Sequence, residues 1–191
     1  MTAPHEIATP GPAADVAAAL RARLPVIETE RLRLRAPVIE DFPVYAEITT
    51  GPRGIHVLEA PDREAAWLDF TQMIATWLLR GHGLWTVEDH AGEVQGFVLI
   101  GFEPGDHEPE LGFLVRERAE GKGIAAEAAT AARQWAYDTA GLATIVSTVD
   151  HGNARSCALA ERLGATRDPA AETAHDNAIR VYRHPGPEAL Q

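Results

Sequence analysis

An apolar, strand-like run passes through Gly121-Lys122-Gly123 into a long alanine-rich segment. The run before the glycines spans Glu110 to Val115, and the segment after them predicts a helix that ends near Gly141. A strand that enters a helix through glycines presents unpaired backbone N–H groups and the positive end of the helix dipole to one small volume. Such a volume binds phosphate. An ordinary tight turn between a strand and a helix is the alternative interpretation.

The rest of the chain alternates between strand and helix patterns. Before the glycine loop, strands are predicted at 30–37, 84–88 and 94–102, and helices at 41–48 and 62–81, the second capped by Asp62 and ended by Gly81 and Gly83. After the loop, a strand is predicted at 144–149, a helix through Leu163 that is capped by Asn153, and a final strand at 178–182. In helix 62–81 a core-facing stripe is predicted from Trp67, Phe70, Ile74, Trp77 and Leu78. This order predicts one α/β domain around a mixed, largely antiparallel sheet.

Size and charge narrow the class of protein. A chain of 191 residues fits one compact domain. Its formal net charge of −11 repels phosphate backbones and anionic lipid headgroups, so neither nucleic acid nor a membrane is an expected partner. The sequence shows no apolar run of about 18 residues and no signal-peptide pattern, and we therefore expect a cytoplasmic location.

Motifs for metals, disulfides and nucleotides are missing from the sequence. Cys157 stands alone, which excludes an internal disulfide and a paired-cysteine metal knuckle. The eight histidines show no metal-binding spacing, so no metal is expected. The glycine loop lacks the spacing of a P-loop and the third glycine of the dinucleotide fingerprint, which argues against ATP and NAD. Arg116, Arg118 and Lys122 nevertheless place positive charge beside this loop in an acidic chain.

Three motifs follow one another in the second half of the chain. They are Glu110-Leu-Gly-Phe-Leu-Val115, Glu120-Gly-Lys-Gly-Ile-Ala-Ala-Glu-Ala128, and Asn153-Ala-Arg-Ser156 with Leu163-Gly164. In this order they resemble the GNAT superfamily of N-acetyltransferases, in the RimJ/RimL-like branch that acetylates protein N-termini and small amines. The segment ETERLRLRAP at 28–37 is similar to the first strand of that branch. The resemblance implies a GNAT-like sheet, splayed where acetyl-CoA enters, and makes the pyrophosphate of acetyl-CoA the expected anion.

The resemblance also implies which residues hold acetyl-CoA. The family's loop reads Gln or Arg, two residues, Gly, one residue, then Gly or Ala; Gly123 and Ala125 match, whereas Glu120 departs from the first position. The implied phosphate cradle comprises Gly121, Lys122, Gly123, Ile124 and Ala125. The implied partners of the rest of the cofactor are the backbone of Phe113, Leu114 and Val115, and the side chains of Asn153 and Ser156.

Ser156 is expected to assist the leaving group. It lies three residues after Asn153, on the same side of the helix start, where its hydroxyl would donate to the departing thiolate. Many family members carry a tyrosine acid further along this helix, and the matching position here is Ala160, which moves the expectation to Ser156. A capping or surface serine is the alternative.

Glu110 is expected to be the base. It matches the acidic position that faces the acceptor amine in this branch, and it would take the amine's proton directly or through water. A strand-edge glutamate without a catalytic role is the alternative, and His107 or Glu108 would then stand in as the base. Cys157 is expected to pack rather than carry an acyl group, and Trp85 is a candidate for lining the acceptor groove.

These residues together predict acetyl transfer from acetyl-CoA to a primary amine, either a protein N-terminus or a small molecule, by direct attack and without a metal. A non-catalytic acyl-CoA-binding sensor or regulatory protein is the alternative, and for it Glu110 and Ser156 would be dispensable. The acetyltransferase domain is expected at 28–184, after an N-terminal appendage at 1–27 that could form one helix, and before a tail at 185–191. The family resemblance also allows a homodimer.

Overall fold

Eight strands form one mixed sheet in the computed structural model, which describes residues 2–52, 54–56 and 62–189. The strands are β1 (Ile27–Glu28), β2 (Leu32–Arg35), β3 (Leu84–Asp89), β4 (Val94–Gly101), β5 (Glu110–Val115), β6 (Val146–Val149), β7 (Thr166–Arg167) and β8 (Arg180–Arg183). Their order across the sheet is β1-β2-β3-β4-β5-β6-β8-β7. Neighbouring strands are antiparallel except β5 and β6, which run parallel. The predicted fold class is therefore confirmed.

Six α-helices accompany this sheet in the described ranges. They are α1 (Pro12–Arg21), α2 (Phe42–Thr49), α3 (Arg63–Arg80), α4 (Ile124–Asp138), α5 (Ala154–Arg162) and α6 (Pro169–Ala174). The caps of α3 follow the sequence prediction: the Asp62 carboxylate accepts the N–H of Ala65 at 2.8 Å, and Gly81 ends the helix with a φ of 76°. No helix among the described residues has the length and apolar character needed to cross a membrane.

The two faces of the sheet carry separate layers. Val98, Ile100 and Leu111 pack against alanines of α4, because side chains alternate along a strand. The opposite face, built around Phe97, packs against aromatic residues of α2 and α3, including Phe42 and Tyr45 and Phe70. Glu110 is next to Leu111 in β5 and therefore belongs to this second face.

Two predictions about large apolar side chains are wrong. Leu78 is 76% exposed, because the helical turn that buries Trp77 directs the next residue outward. Trp85 does not line a groove. Its indole packs edge-to-face against Trp77 and donates to the carbonyl of Pro25 at 3.0 Å, so no part of it is exposed to solvent.

The ends of the sheet differ slightly from the sequence prediction. The final strand begins at Arg180 rather than at 178, because Asp176 and Asn177 take positive φ angles in the preceding turn. The strand predicted at 144–149 begins at Val146. β1, β7 and α6 were not predicted, because strands of two residues and a helix of fewer than two turns are too short to show a periodic pattern.

The N-terminal segment is attached to the rest of the chain by specific contacts. None of the residues of α1 is buried. The buried Glu6 carboxylate nevertheless pairs with Arg63 at the start of α3, with an Nε–Oε1 distance of 2.7 Å. The expected appendage with one helix therefore lies against the body of the domain.

Candidate active site

β5 and β6 separate after their first pair. β5 pairs with β4 at every residue, from Gly101–Glu110 to Gly96–Val115. It pairs with β6 only at Glu110 and Val146. The two parallel strands therefore enclose a wedge, here called the β5–β6 gap, which is closed near Glu110 and open toward the carboxyl ends of both strands. The predicted splay of the sheet is confirmed.

The hydrogen bonds at the two ends of β5 show which peptide groups face the gap. On the β4 side, the N–H of Arg116 donates to the carbonyl of Gln95 at 3.0 Å. On the β6 side, the N–H of Val146 donates to the carbonyl of Pro109 at 3.0 Å. Because peptide groups alternate in direction along a strand, odd-numbered residues of β5 direct their N–H and C=O groups toward β6.

This register divides the three residues predicted to hold the pantetheine arm. Phe113 and Val115 direct their peptide groups into the β5–β6 gap, where β6 does not pair with them. Leu114 directs its peptide groups to β4, where it pairs with Phe97. The predicted backbone contact from Leu114 therefore does not fit the register, whereas Phe113 and Val115 are free to pair with an extended ligand.

The glycine loop leads directly into the first turn of α4. Gly121 and Gly123 take φ angles of 70° and 81°, and Gly123 is the N-cap of the helix. In the described part of the chain, the N–H groups of Ile124, Ala125 and Ala126 donate to no backbone oxygen outside the helix. These are the donors that the first turn of any helix leaves unpaired. The loop therefore offers free N–H groups at the positive end of α4.

Arg31, which directly precedes β2, forms hydrogen bonds to the glycine loop and to α4. Its guanidinium donates to the carbonyl of Lys122 at 2.9 Å and to the Glu127 carboxylate at 2.6 Å. These bonds connect the first predicted strand to the loop and to the first turn of α4. They hold the glycine loop and the first turn of α4, with its free N–H groups, in one arrangement that does not depend on a ligand.

The charges beside the loop differ from the sequence prediction in one respect. Arg116 pairs with Glu47, and Arg118 pairs with Glu93, so these two guanidinium groups are already partnered. Lys122 is exposed and forms no ion pair within the described residues. Arg155 of α5 forms an ion pair with Glu120 at 2.7 Å. The guanidinium offsets the negative charge that Glu120 places at the first position of the loop, where the family has Gln or Arg.

The start of α5 lies beyond the open end of the β5–β6 gap. Asn153 caps the helix, and its Oδ1 accepts the N–H of Ser156 at 3.1 Å. The Ser156 hydroxyl donates to no group among the described residues, and its side chain is partly exposed. Both residues therefore belong to the start of α5, which follows the carboxyl end of β6 in the chain.

A family model described as an acetyltransferase (GNAT) domain matches residues 31–166. The chain belongs to the GNAT acetyltransferases. A crystal structure of an acetyltransferase from Agrobacterium tumefaciens strain C58 is 41% identical, with a TM-score of 0.79 over 85% of this chain and 95% of the other. A GnaT-family acetyltransferase from Bordetella pertussis is 26% identical, with a TM-score of 0.65 over 84% and 99% of the two chains.

RimL, a ribosomal L7/L12 alpha-N-protein acetyltransferase solved in complex with coenzyme A, has the same fold. It is 16% identical to this GNAT chain, with a TM-score of 0.65 over 84% of this chain and 97% of RimL. At this identity the similarity establishes the shared architecture only.

Glu110 lies at the closed end of the gap. Its Oε1 accepts the N–H of Thr148 at 3.2 Å. Burial raises the pKa of the Glu110 carboxyl to about 7, the hydroxyl and the N–H of Thr148 oppose this change, and the nearby carboxylates of Asp106 and Glu103 add to it. A carboxyl group with this pKa exchanges protons near neutral pH, as a general base must.

The two alternative bases have different environments in this GNAT domain. Glu108 forms a two-pronged ion pair with Arg183, with distances of 2.6 and 2.7 Å, and accepts the Thr144 hydroxyl. Arg183 thereby lowers the pKa of Glu108, which makes this carboxylate a poor proton acceptor. His107 packs edge-to-face against His175, with ring centroids 5.0 Å apart.

A cavity of about 230 Å³ lies on the Glu110 face of the sheet. Thr148, whose N–H binds Glu110, lines this cavity, and the small alanines of α6 form another wall. Its polar lining comprises Asp106, His107, Glu108, Thr148, Asp168, His175 and Arg183. Arg183 pairs with both Glu108 and Asp168, so Asp106 is the carboxylate in the lining that is left without an ion pair among the described residues.

Cys157 is a packing residue, as expected. It is buried among Val149, Ala160 and Tyr182, on the face of the sheet opposite to Glu110. No group of three or more metal-binding side chains occurs within the described ranges.

Three residues that support the site were not among the sequence candidates. Arg31 and Arg155 act on the glycine loop, and Thr148 supplies the N–H bound by Glu110. The only signal for Arg31 was its place on the polar face of a predicted strand, which does not indicate a contact 91 residues away.

Proposed function

We propose that this GNAT protein transfers the acetyl group of acetyl-CoA to a primary amine by direct attack, with Glu110 as the general base. The observation that carries the proposal is the place of Glu110 at the closed end of the β5–β6 gap, beside the cavity and with a pKa raised to about 7. An amine must lose a proton to complete its attack on a thioester carbonyl, and we propose that this carboxylate accepts it.

The residues around the gap fit acetyl-CoA. The free N–H groups of Ile124, Ala125 and Ala126 would bind its pyrophosphate, with Lys122 adding charge from the exposed side of the loop. The peptide groups of Phe113 and Val115 match an extended arm that carries amides. When bound, acetyl-CoA supplies the activated acetyl group; the chain itself supplies position and exclusion of water.

The acceptor would approach from the cavity on the Glu110 face. Asp106, which lines this cavity near Glu110 and Glu103 and forms no ion pair with any described residue, favours an acceptor that arrives as a cation. A protein N-terminus and a small-molecule amine both meet this requirement.

The test is coenzyme A release from acetyl-CoA, measured with a thiol reagent over a matched panel. The panel contains 1,4-diaminobutane, ethanolamine and a short peptide with a free N-terminus, each beside its control: 1,4-butanediol, ethylene glycol and the N-acetylated peptide. We expect release with at least one amine and none with its control.

Two other results of the coenzyme A release assay would contradict the proposal. Release with the alcohols at the same rate would contradict specificity for nitrogen. Tight acetyl-CoA binding without release from any member of the panel, extended to further amines, would favour the acyl-CoA sensor.

Ser156→Ala tests the leaving-group assignment. We expect kcat to fall by up to ~10²-fold, at the lower end for acid–base groups, because a thiolate departs readily without full protonation. The Kd of acetyl-CoA should change little, and raising the pH should restore little activity. Ala158→Ser on the exposed side of α5 is the control. An unchanged kcat in Ser156→Ala would reduce Ser156 to part of the helix cap.

A further inference from the structure

Two side chains replace one backbone hydrogen bond at the closed end of the gap. After the bond from Val146 to Pro109, a regular parallel ladder would continue from the N–H of Thr148 to the carbonyl of Leu111. Here the Thr148 N–H donates to the Glu110 carboxylate at 3.2 Å instead. The Leu111 carbonyl accepts the Ser147 hydroxyl at 2.6 Å.

A buried chain of hydrogen bonds holds the Ser147 hydroxyl in this role. His184 Nε2 lies 3.0 Å from Ser147 Oγ, and His184 Nδ1 lies 3.1 Å from Arg133 Nη1. Arg133 can only donate, so Nδ1 accepts, Nε2 carries the proton, and Ser147 accepts it. The single hydroxyl proton of Ser147 is then committed to Leu111.

His184 stays in this protonation state, with the proton on Nε2, at neutral pH. Burial, together with the nearby Arg133 guanidinium, lowers the pKa of His184 to about 4, so the ring stays neutral with one donor and one acceptor. Arg133 is itself anchored to the carbonyl of Leu163 at 2.7 Å. The chain therefore runs in one direction, from Arg133 through His184 and Ser147 to Leu111.

We propose that Ser147, held by His184 and Arg133, is a positioning residue that stops the β5–β6 ladder and thereby reserves the Thr148 N–H for Glu110. Without the hydroxyl, the Leu111 carbonyl would be a buried acceptor without a partner. The Thr148 N–H is the nearest donor in the ladder, and its transfer to Leu111 would close the gap by one bond. Glu110 would lose that donor. This inference rests on the proposed function, because Glu110 matters to the rate only as the base.

The groups around Glu110 determine the sign of the expected change. Asp106 and Glu103, from the connection between β4 and β5, raise the pKa of Glu110, and the hydroxyl and the N–H of Thr148 in β6 both lower it. On the same face Arg183 is shared between Glu108 and Asp168, and His107 and His175 line the same cavity. Arg133 and His184 lie on the opposite side of β6. Loss of the bond from the Thr148 N–H therefore raises the pKa of Glu110, while the Thr148 hydroxyl continues to lower it.

The experiment measures the protonation of Glu110 directly and through the rate. Ser147→Ala is compared with Ser147→Thr, which keeps a hydroxyl, and with Val149→Ala, which removes packing from the same strand. The carboxyl carbon of Glu110 is titrated by ¹³C NMR without substrate, and kcat/KM is followed from pH 5.5 to 9. We expect a higher pKa in Ser147→Ala only, with kcat/KM severalfold below wild type at pH 6.5 and closer to it at pH 9.

A second pair of variants covers failure of Ser147→Ala to fold. His184→Gln keeps a donor and an acceptor at the end of the side chain, whereas His184→Phe keeps neither, so the pKa of Glu110 should rise in the second variant alone.

The outcomes separate the two proposals. Unchanged titration of Glu110 in Ser147→Ala and His184→Phe, with only a lower Tm, would overturn the positioning role. A raised pKa without any effect on the rate would uphold the positioning of Glu110 and overturn its role as the base.

Discussion

Glu110→Gln is expected to lower kcat by ~10²–10⁴-fold, because an amide cannot accept the proton of the attacking amine. The variant should bind acetyl-CoA nearly as tightly as wild type, since the base acts mainly in the transition state. Stopped assays of coenzyme A release give kcat, and calorimetry gives the Kd of acetyl-CoA. Glu108→Gln is the matched control, and it should lose stability with its Arg183 ion pair while keeping most of its turnover.

The pH dependence of this variant follows from the raised pKa. In the wild-type protein, kcat/KM should rise with pH as Glu110 ionises, with a midpoint at about 7. Glu110→Gln should lack this midpoint, and higher pH should partly restore its activity by supplying more free amine. Wild-type turnover within about twofold in Glu110→Gln would exclude Glu110 as the base.

The stability of the wild-type fold should fall as the pH rises, whereas its kcat/KM should increase. The usual pKa of a glutamate is 4.5, so a carboxyl with a folded-state pKa of about 7 is protonated more readily in the folded protein. Its favourable contribution to folding is therefore present at low pH and lost as the pH rises through 7. Glu110→Gln should raise Tm at pH 8 and change it little at pH 5.

Gly123→Val is expected to weaken acetyl-CoA binding by ~10²-fold or more. Gly123 has a φ of 81°, which a β-branched residue adopts only with strain, and its Cβ would stand 3.2 Å from the Arg31 guanidinium that braces the loop. Displacement of either group would disturb the free N–H groups of the first turn of α4. In thermal shift assays, wild type should gain stability from acetyl-CoA by mass action, and Gly123→Val should gain almost none.

Gly92 provides a control with the same backbone strain. It also has a φ of 81°, lies in the turn between β3 and β4, and its Cβ would meet no atom within 4 Å. Gly92→Val should lose a similar amount of stability and still bind acetyl-CoA. ATP and NAD should stabilise neither wild type nor Gly92→Val. Unchanged acetyl-CoA affinity in a folded Gly123→Val protein would remove the glycine loop from the proposed site.

Local patterns in the sequence were sufficient for the main elements of this protein. The strand Glu110–Val115 was predicted with its observed bounds, and Asp62 and Asn153 cap the helices that they were expected to cap. Each of these features depends on residues within a few positions of one another, such as alternation along a strand or a side chain that binds an N–H three residues ahead. The glycine loop belongs to the same class.

The tertiary structure alone decided which of the predicted groups are available. Arg116 and Arg118 were expected beside the phosphate, but carboxylates distant in sequence neutralise both of them. Leu114 lies in the predicted strand, but its register to β4 turns its peptide groups away from the gap.

The environment of Glu110 was also beyond the reach of the sequence. The sequence shows that residue 110 is a glutamate, and its pattern places this glutamate at the start of a strand. Its raised pKa arises from burial and from the carboxylates of Asp106 and Glu103, and it is opposed by Thr148, which lies 38 residues away. The order of strands and helices could be read from the amino-acid sequence, since hydrophobic periodicity and helix capping depend on residues close together in the chain. Proton affinity, ion pairing and the width of the gap were decided by the tertiary structure, because they depend on groups that meet only after the chain has folded.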